Sequence, residues 1–253
     1  MVLQAQEGRL TTSAVRILVA TAVPAERDAV ARAFTDATTE VRLPGSALLH
    51  RTRGGRQGYD LLAAGVGPAL AAAGTATALT AAALDGRPYA LVVSAGIAGG
   101  FQPQAPVGSL VVADEITVAD LGAETADGFV PVTDLGFGTV SHRPPDPLVR
   151  VTAEATGAHP GAVLTVSTVT GSAARAAELR ARHPRALAEA MEGFGVAEAA
   201  AAHGVPVLEI RAVSNPVGPR DRAAWRIADA LAALTEAFGK LAPALESWNP
   251  HDQ

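Results

Sequence analysis

"AMEGFGVAEAAAAHGVPVLEIRAVSN", residues 190–215, runs from an alanine-rich segment through Gly204 into the apolar run "VLEIRAV" at 207–213. Alanine favours helix, β-branched residues favour strand, and a glycine between them supplies the stop. The spacing predicts a helix over 187–203 followed by a strand, with Glu192 at one corner of the unit and Asn215 at the other. The same alternation recurs on either side. Strands are expected at 16–23, 59–66, 89–96, 109–119 and 162–169, and helices over 25–34, 68–84, 173–182 and 221–241. The strands are continuous apolar runs such as "YALVVSAG" (89–96), which suits strands covered on both faces. Ile227, Leu231, Leu234, Phe238 and Leu241 recur at helical spacing and form one stripe for packing on the sheet. The pattern predicts an α/β fold: a single domain with a central mixed, mostly parallel β-sheet flanked by helices. "LLHRTRGGRQGYDLLAAG" (48–65) reads as a hairpin around Gly54 and Gly55, and the weakly periodic residues 120–160 read as an active-site loop or lid.

Composition removes several classes of function. A chain of 253 residues, 49% of them apolar, suits one large core better than two small ones; residues 15–245 are expected to form it, between a flexible N-terminal tail at 1–14 and a C-terminal tail at 246–253. Net charge is −5 and Lys/Arg gather nowhere, so a nucleic-acid partner has no electrostatic footprint. The apolar runs fall far short of a membrane span, and residues 1–14 lack the basic start and apolar middle of a signal peptide. A cytoplasmic protein without a membrane partner is expected. The absence of Cys excludes disulfides and a thiolate nucleophile and agrees with a reducing compartment, and the six His show no metal-ligand spacing, so no metal is expected.

Two glycine clusters invite a ligand. "GVGPALA" (65–71) imitates a dinucleotide fingerprint, but the following strand ends in Ser94-Ala95-Gly96 where an acid should hold the ribose, so a tight strand-to-helix turn is the better reading. "SAGIAGGF" (94–101) puts small residues directly after a buried strand, and there a ligand can approach the main chain at Ile97, Ala98 and Gly99.

The ordered succession "RILVATAVPAE" (16–26), "AGVGPALAAAGTATAL" (64–79), "VVSAGIAGGF" (92–101), "VGSLVVADE" (107–115), "AMEGFGVAEAAA" (190–201) and "IRAVSN" (210–215) resembles the nucleoside phosphorylase and nucleosidase superfamily over residues 16–235. Within it, "TVSTVTGSAAR" (165–175), "AEAMEGFGVA" (188–197) and "SNPVGPRDRAAW" (214–225) are similar to the futalosine hydrolase family. The resemblance implies a homodimer or larger homo-oligomer that binds a small nucleoside and needs no cofactor. The implied reaction hydrolyses futalosine to hypoxanthine and dehypoxanthine futalosine in menaquinone biosynthesis. Alternatives are a nucleosidase for methylthioadenosine-like substrates, a purine nucleoside phosphorylase, or a non-catalytic nucleoside-binding module.

Breaking an N-ribosidic bond builds positive charge on the sugar and negative charge on the departing base. The site therefore needs a group orienting the ribose hydroxyls, a base for water and donors facing the purine. The resemblance implies Glu192 for the ribose with Met191 packed on the sugar, Glu26 for the water, and Thr168 on the substrate. Their ordinary alternatives are helix-start acids offsetting the macrodipole. Phosphorylases of the superfamily carry an Arg and a Ser for phosphate where this chain has Ser94 and Ile97, and an aliphatic group cannot hold a dianion. Hydrolysis is expected. Related adenine nucleosidases carry Asp at the place of Asn215; an amide NH₂ donates to both N7 and O6 of a 6-oxopurine, whereas an acid has one proton to give, so Asn215 points to hypoxanthine unless it merely closes a turn. Arg220 and Trp225 suit the carboxyphenyl group of futalosine, and a helix cap at Asp221 is the competing reading.

Overall fold

Along β1 (Arg16–Thr21) buried side chains alternate between two cores: Leu18 and Ala20 face one, Ile17 and Val19 the other. Successive strand side chains point to opposite faces, so a strand covered by helices on both sides must be apolar throughout. The computed structural model describes residues 15–55 and 57–246. After β1 come α1 (Pro24–Ala31), β2 (Thr39–Arg42), β3 (Leu48–Gly54), β4 (Gln57–Ala63), α2 (Pro68–Leu84), β5 (Leu91–Gly100) and β6 (Leu110–Val118). Then follow β7 (Gly122–Thr125), β8 (Gly128–Pro131), β9 (Ser141–His142), α3 (Asp146–Thr156), β10 (His159–Thr165), α4 (Ala173–Arg182), β11 (Ala186–Ala190), α5 (Gly193–Ala202), β12 (Val207–Pro216) and α6 (Ile227–Leu245).

The main sheet runs β11-β10-β6-β12-β5-β1-β4-β3-β2, with parallel pairings through β11-β10-β6 and through β12-β5-β1-β4. This is the single α/β domain with a mixed central sheet that the alternation predicts. Because β11 also pairs with β5, the strands β5, β11, β10, β6 and β12 close into a ring. Ala71, Ala78 and Leu79 of α2 and Ala197 and Ala200 of α5 cover one face; Val30, Leu148, Leu234, Phe238 and Leu241 of α1, α3 and α6 cover the other. The expected hairpin is β3-β4.

Four expectations need correction. The helix over 187–203 is two elements, β11 and α5. Ala186–Ala190 extends because β10 and β5 offer it two hydrogen-bonded edges, and that pairing outweighs the mild helix preference of Ala and Leu. The strand expected at 89–96 begins at Leu91 and continues through "SAGIAGGF" to Gly100, between β12 and β11. Residues 120–160 hold the β7-β8 hairpin, β9 and α3, whose Leu148, Val149, Thr152 and Thr156 are buried. The last helix begins at Ile227, after a 3₁₀ turn at Arg222–Ala224, and reaches Leu245. The tails at 1–14 and 247–253 lie outside the described residues. Among those described, no helix is long and apolar enough to cross a membrane.

Candidate active site

A cavity of about 320 Å³ opens where β1, β5, β11 and β12 end. Carboxyl ends of strands in open α/β sheets are where ligands are expected, because the connecting loops converge there. Nine of the ten residues named from sequence line it: Glu26, Ile97, Ala98, Gly99, Met191, Glu192, Asn215, Arg220 and Trp225. Thr168 is exposed at the bend after β10, and its neighbours Val169 and Thr170 line the cavity instead.

One wall is a buried charge cluster. Glu26, 4% exposed, sits in the first turn of α1, and its Oε2 accepts from the Ala22 and Val23 amides at 3.0 and 3.3 Å. Its Oε1 accepts from the Ile97 amide at 2.9 Å. Glu26 is thus both a helix-start acid and a cavity acid. Burial pushes its pKa up most strongly and Glu192 adds to that, while Arg211 and the amides of Ile97 and Ala22 pull it down; the net direction is up.

Glu192 lies at the corner between β11 and α5 and does not cap its own helix. Its Oε1 accepts from the Gly67 amide at 3.2 Å, and its Oε2 lies 3.4 Å from Nη1 of Arg211. Arg211, 1% exposed, also donates from Nε to Glu209 at 2.8 Å and from Nη2 to Ser94 at 3.1 Å. Ser94 is thereby committed to the cluster. Gly96 and Gly193 make room for this cluster, and Gly195 lets α2 approach α5. A Cβ on Gly96 would stand 2.6 Å from Glu26 Oε1 and 2.7 Å from Arg211 Nη1. On Gly193 it would strike Glu209 Oε2 at 2.2 Å, and on Gly195 the Pro68 carbonyl at 2.1 Å.

The cavity is also lined by Asn215 and by the pair Arg220 and Trp225. Asn215 accepts on Oδ1 from the Ser214 hydroxyl at 2.9 Å and donates from Nδ2 to the Pro216 carbonyl at 3.0 Å. The Pro216 carbonyl, which can only accept, fixes which way the amide faces and leaves one N–H uncommitted. A Cβ on Gly99 would stand 3.4 Å from Nδ2, so the amide leans over a residue without a side chain. The Arg220 guanidinium stacks 5.1 Å from the Trp225 ring centroid, and Asp221 caps the 3₁₀ turn by accepting from Ala223 at 3.2 Å.

Sequence reasoning passed over Arg211, Glu209, Glu189 and Thr170. A signal was present: "VLEIRAV" carries Glu209 and Arg211 at i and i+2 in an otherwise apolar strand, on one face of a buried sheet, where charges occur almost only in pairs.

The cavity holds two buried acids and an amide at the strand ends, and the family model of the phosphorylase superfamily matches residues 16–246. The chain is 78% identical to the futalosine hydrolase of Streptomyces coelicolor, over 94% of this chain and 99% of that protein. It is 47% identical to the futalosine hydrolase of Acidothermus cellulolyticus, over 91% of each. In fold it is similar to a 5'-methylthioadenosine/S-adenosylhomocysteine nucleosidase of Colwellia psychrerythraea in complex with adenine, with TM-score 0.79 at 21% identity, over 92% of this chain and 96% of that one. A futalosine hydrolase mutant of Helicobacter pylori gives 0.77 at 18% identity, over 90% and 99%. The chain belongs to the phosphorylase superfamily and, within it, to the futalosine hydrolase family.

Proposed function

We propose that this chain hydrolyses the N-ribosidic bond of futalosine, releasing hypoxanthine and dehypoxanthine futalosine, the step of menaquinone biosynthesis that its relatives' name implies. The observation that carries the reading is the pairing of 78% identity to a futalosine hydrolase with an amide, Asn215, lining the same cavity as two buried acids. Glu192 accepts hydrogen bonds from the ribose hydroxyls and sets negative charge beside the sugar as it becomes cationic. Arg211 and the Gly67 amide hold that carboxylate in place. Glu26 takes a proton from the attacking water, a task suited to a carboxylate whose pKa is raised toward neutrality. Asn215 faces N7 and O6, where charge accumulates as hypoxanthine departs: its uncommitted N–H serves one acceptor, and the N–H held by the Pro216 carbonyl turns to the other. Arg220 and Trp225 offer a cation and a flat surface to the carboxyphenyl end. The same reading carries a cytoplasmic protein and a homo-oligomer, the second checked by the protein's mass in solution.

The decisive assay incubates the protein with futalosine, inosine and methylthioadenosine, each with and without phosphate. Futalosine should be the preferred substrate, its rate indifferent to phosphate and its second product a free sugar; a ribosyl phosphate as main product would overturn the hydrolytic reading of Ser94 and Ile97.

Asn215→Asp tests the reading of the base. Opposite the N7 lone pair the acid binds in its protonated form, because an ionised carboxylate would face an acceptor with nothing to donate. That form has one proton for two acceptors of a 6-oxopurine but matches the acceptor and donor of a 6-aminopurine. The ratio of kcat/KM for futalosine against its 6-amino analogue should fall by about two orders of magnitude, from roughly 2–3 kcal/mol of differential pairing. An unchanged ratio at matched pH would remove Asn215 from base recognition.

A further inference from the structure

One buried acid of the cavity has no part in this scheme. Glu189 of β11 is 6% exposed, lines the cavity, and has no ion-pair partner among the described residues. Its Oε1 accepts from the Thr170 amide at 2.8 Å and its Oε2 from the Thr170 hydroxyl at 2.5 Å. A carboxylate has about four acceptor positions, so Thr170 leaves each oxygen able to accept again. Burying such a group without a cation is costly, and a second set of donors offsets that cost.

Its place in the sheet says which donors. Glu189 pairs with Gly99 across the β11-β5 edge, and Gly99 pairs with Asn215 across the β5-β12 edge. All three line the cavity, and a Cβ on Gly99 would stand 3.4 Å from Asn215 Nδ2, so Glu189 and Asn215 flank a bare glycine from either side. Their backbones stand two strand spacings apart, on the order of 10 Å. A flat purine lying over Gly99 spans that gap with one hydrogen-bonding edge toward each side chain.

We infer that Glu189 accepts the N1–H of a 6-oxopurine and, with Asn215, selects hypoxanthine over adenine at this site, an inference that rests on the futalosine reading above. The two bases differ at N1 as well as at position 6. Hypoxanthine carries a donor, N1–H, beside its O6 acceptor; adenine carries an N1 lone pair beside its amino donor. A carboxylate opposite N1 welcomes the first and repels the second. Asn215 alone reads only N7 and the substituent at position 6, so Glu189 supplies the second half of the discrimination. A site built around a hydrogen bond rejects the analogue that lacks it more sharply than an apolar wall does.

The test measures dissociation constants of hypoxanthine, adenine and 1-deazahypoxanthine, in which C–H stands for N1–H, for the wild type and Glu189→Gln, alongside futalosine turnover and thermal unfolding. The wild type should bind hypoxanthine at least about tenfold more tightly than 1-deazahypoxanthine, the usual worth of one charge-assisted hydrogen bond. In Glu189→Gln that preference should vanish, and the preference for hypoxanthine over adenine should narrow by about tenfold or more, because the amide can turn its NH₂ toward the adenine N1. Equal wild-type affinity for hypoxanthine and its 1-deaza analogue would overturn the inference even if the variant does not fold. Equal weakening of all three bases in a folded variant would overturn it too, leaving Glu189 as a tether for Thr170. Failure of the wild type to hydrolyse futalosine would refute the proposed function instead, while the base affinities would still decide the role of Glu189.

Discussion

Glu192→Gln is expected to fold and to lose turnover of futalosine by about three orders of magnitude or more, close to 4 kcal/mol of transition-state stabilisation. The substitution keeps the side chain's length and removes its charge, so the ribosyl cation develops beside a neutral amide. Packing cost should be small, because Arg211 retains Glu209 at 2.8 Å and is not left as an unpaired buried cation. One local conflict remains: the amide oxygen can serve the Gly67 amide or Arg211 Nη1, not both, and the NH₂ then faces the other donor. That conflict should cost about 1 kcal/mol in thermal unfolding. The affinity for hypoxanthine, held at the Asn215 wall, should barely change. A folded variant with wild-type kcat would exclude Glu192 from the chemistry, whereas loss of base affinity together with rate would indicate a collapsed site.

Glu26→Gln is expected to lower kcat by about 10²- to 10⁴-fold, the usual worth of a positioned general base. Its stability should fall as well. Glu26 accepts from three backbone amides with two oxygens, and the glutamine has one oxygen for all three, so at least one buried N–H loses its acceptor at about 1–3 kcal/mol. Rates must therefore be compared per folded enzyme. The pH dependence separates a base from a scaffold. Burial raises the Glu26 pKa, and a base works only when deprotonated, so wild-type kcat should decline as pH falls through a value above the ordinary carboxylate value of 4.5. The residual activity of Glu26→Gln should lack that acid limb. Persistence of the same limb in the variant would assign it to another group in the cluster.

The parts of the site that were legible before folding are those set by short-range chemistry. Glu26 follows a strand and opens a helix within eleven residues of continuous pattern, and Asn215 ends an unmistakable apolar strand, so both could be placed on their elements from the chain alone. Helices at 68–84 and 173–182 were equally local, the first a run of Ala behind a proline and the second opened by Ser172, whose side chain accepts from the Arg175 amide at 3.2 Å. Where the reading failed, a distant partner decided. α3 was hidden among Gly, Pro and Asp, and its stripe acquires meaning only against α6. Thr168 and Thr170 are two places apart and chemically alike; a carboxylate on another strand turns Thr170 inward.

By itself, the sequence determined that this chain alternates strands and helices, that its strands are covered on both faces, and that Glu26 opens a helix and Asn215 closes a strand. Those properties follow from periodicity and residue chemistry over spans shorter than one element. Only the tertiary structure decided that Ala186–Ala190 is a strand, because an alanine-rich segment has little preference strong enough to resist two open hydrogen-bonding edges. Closing that ring brings Glu189 level with Gly99 and Asn215, and it sets Glu192 against Arg211, 19 residues further along the chain. The glycines at 96, 193 and 195 show the same division: as letters they weaken a strand and a helix, and only in the fold does each prove to be the space into which a carboxylate, a guanidinium or a carbonyl fits.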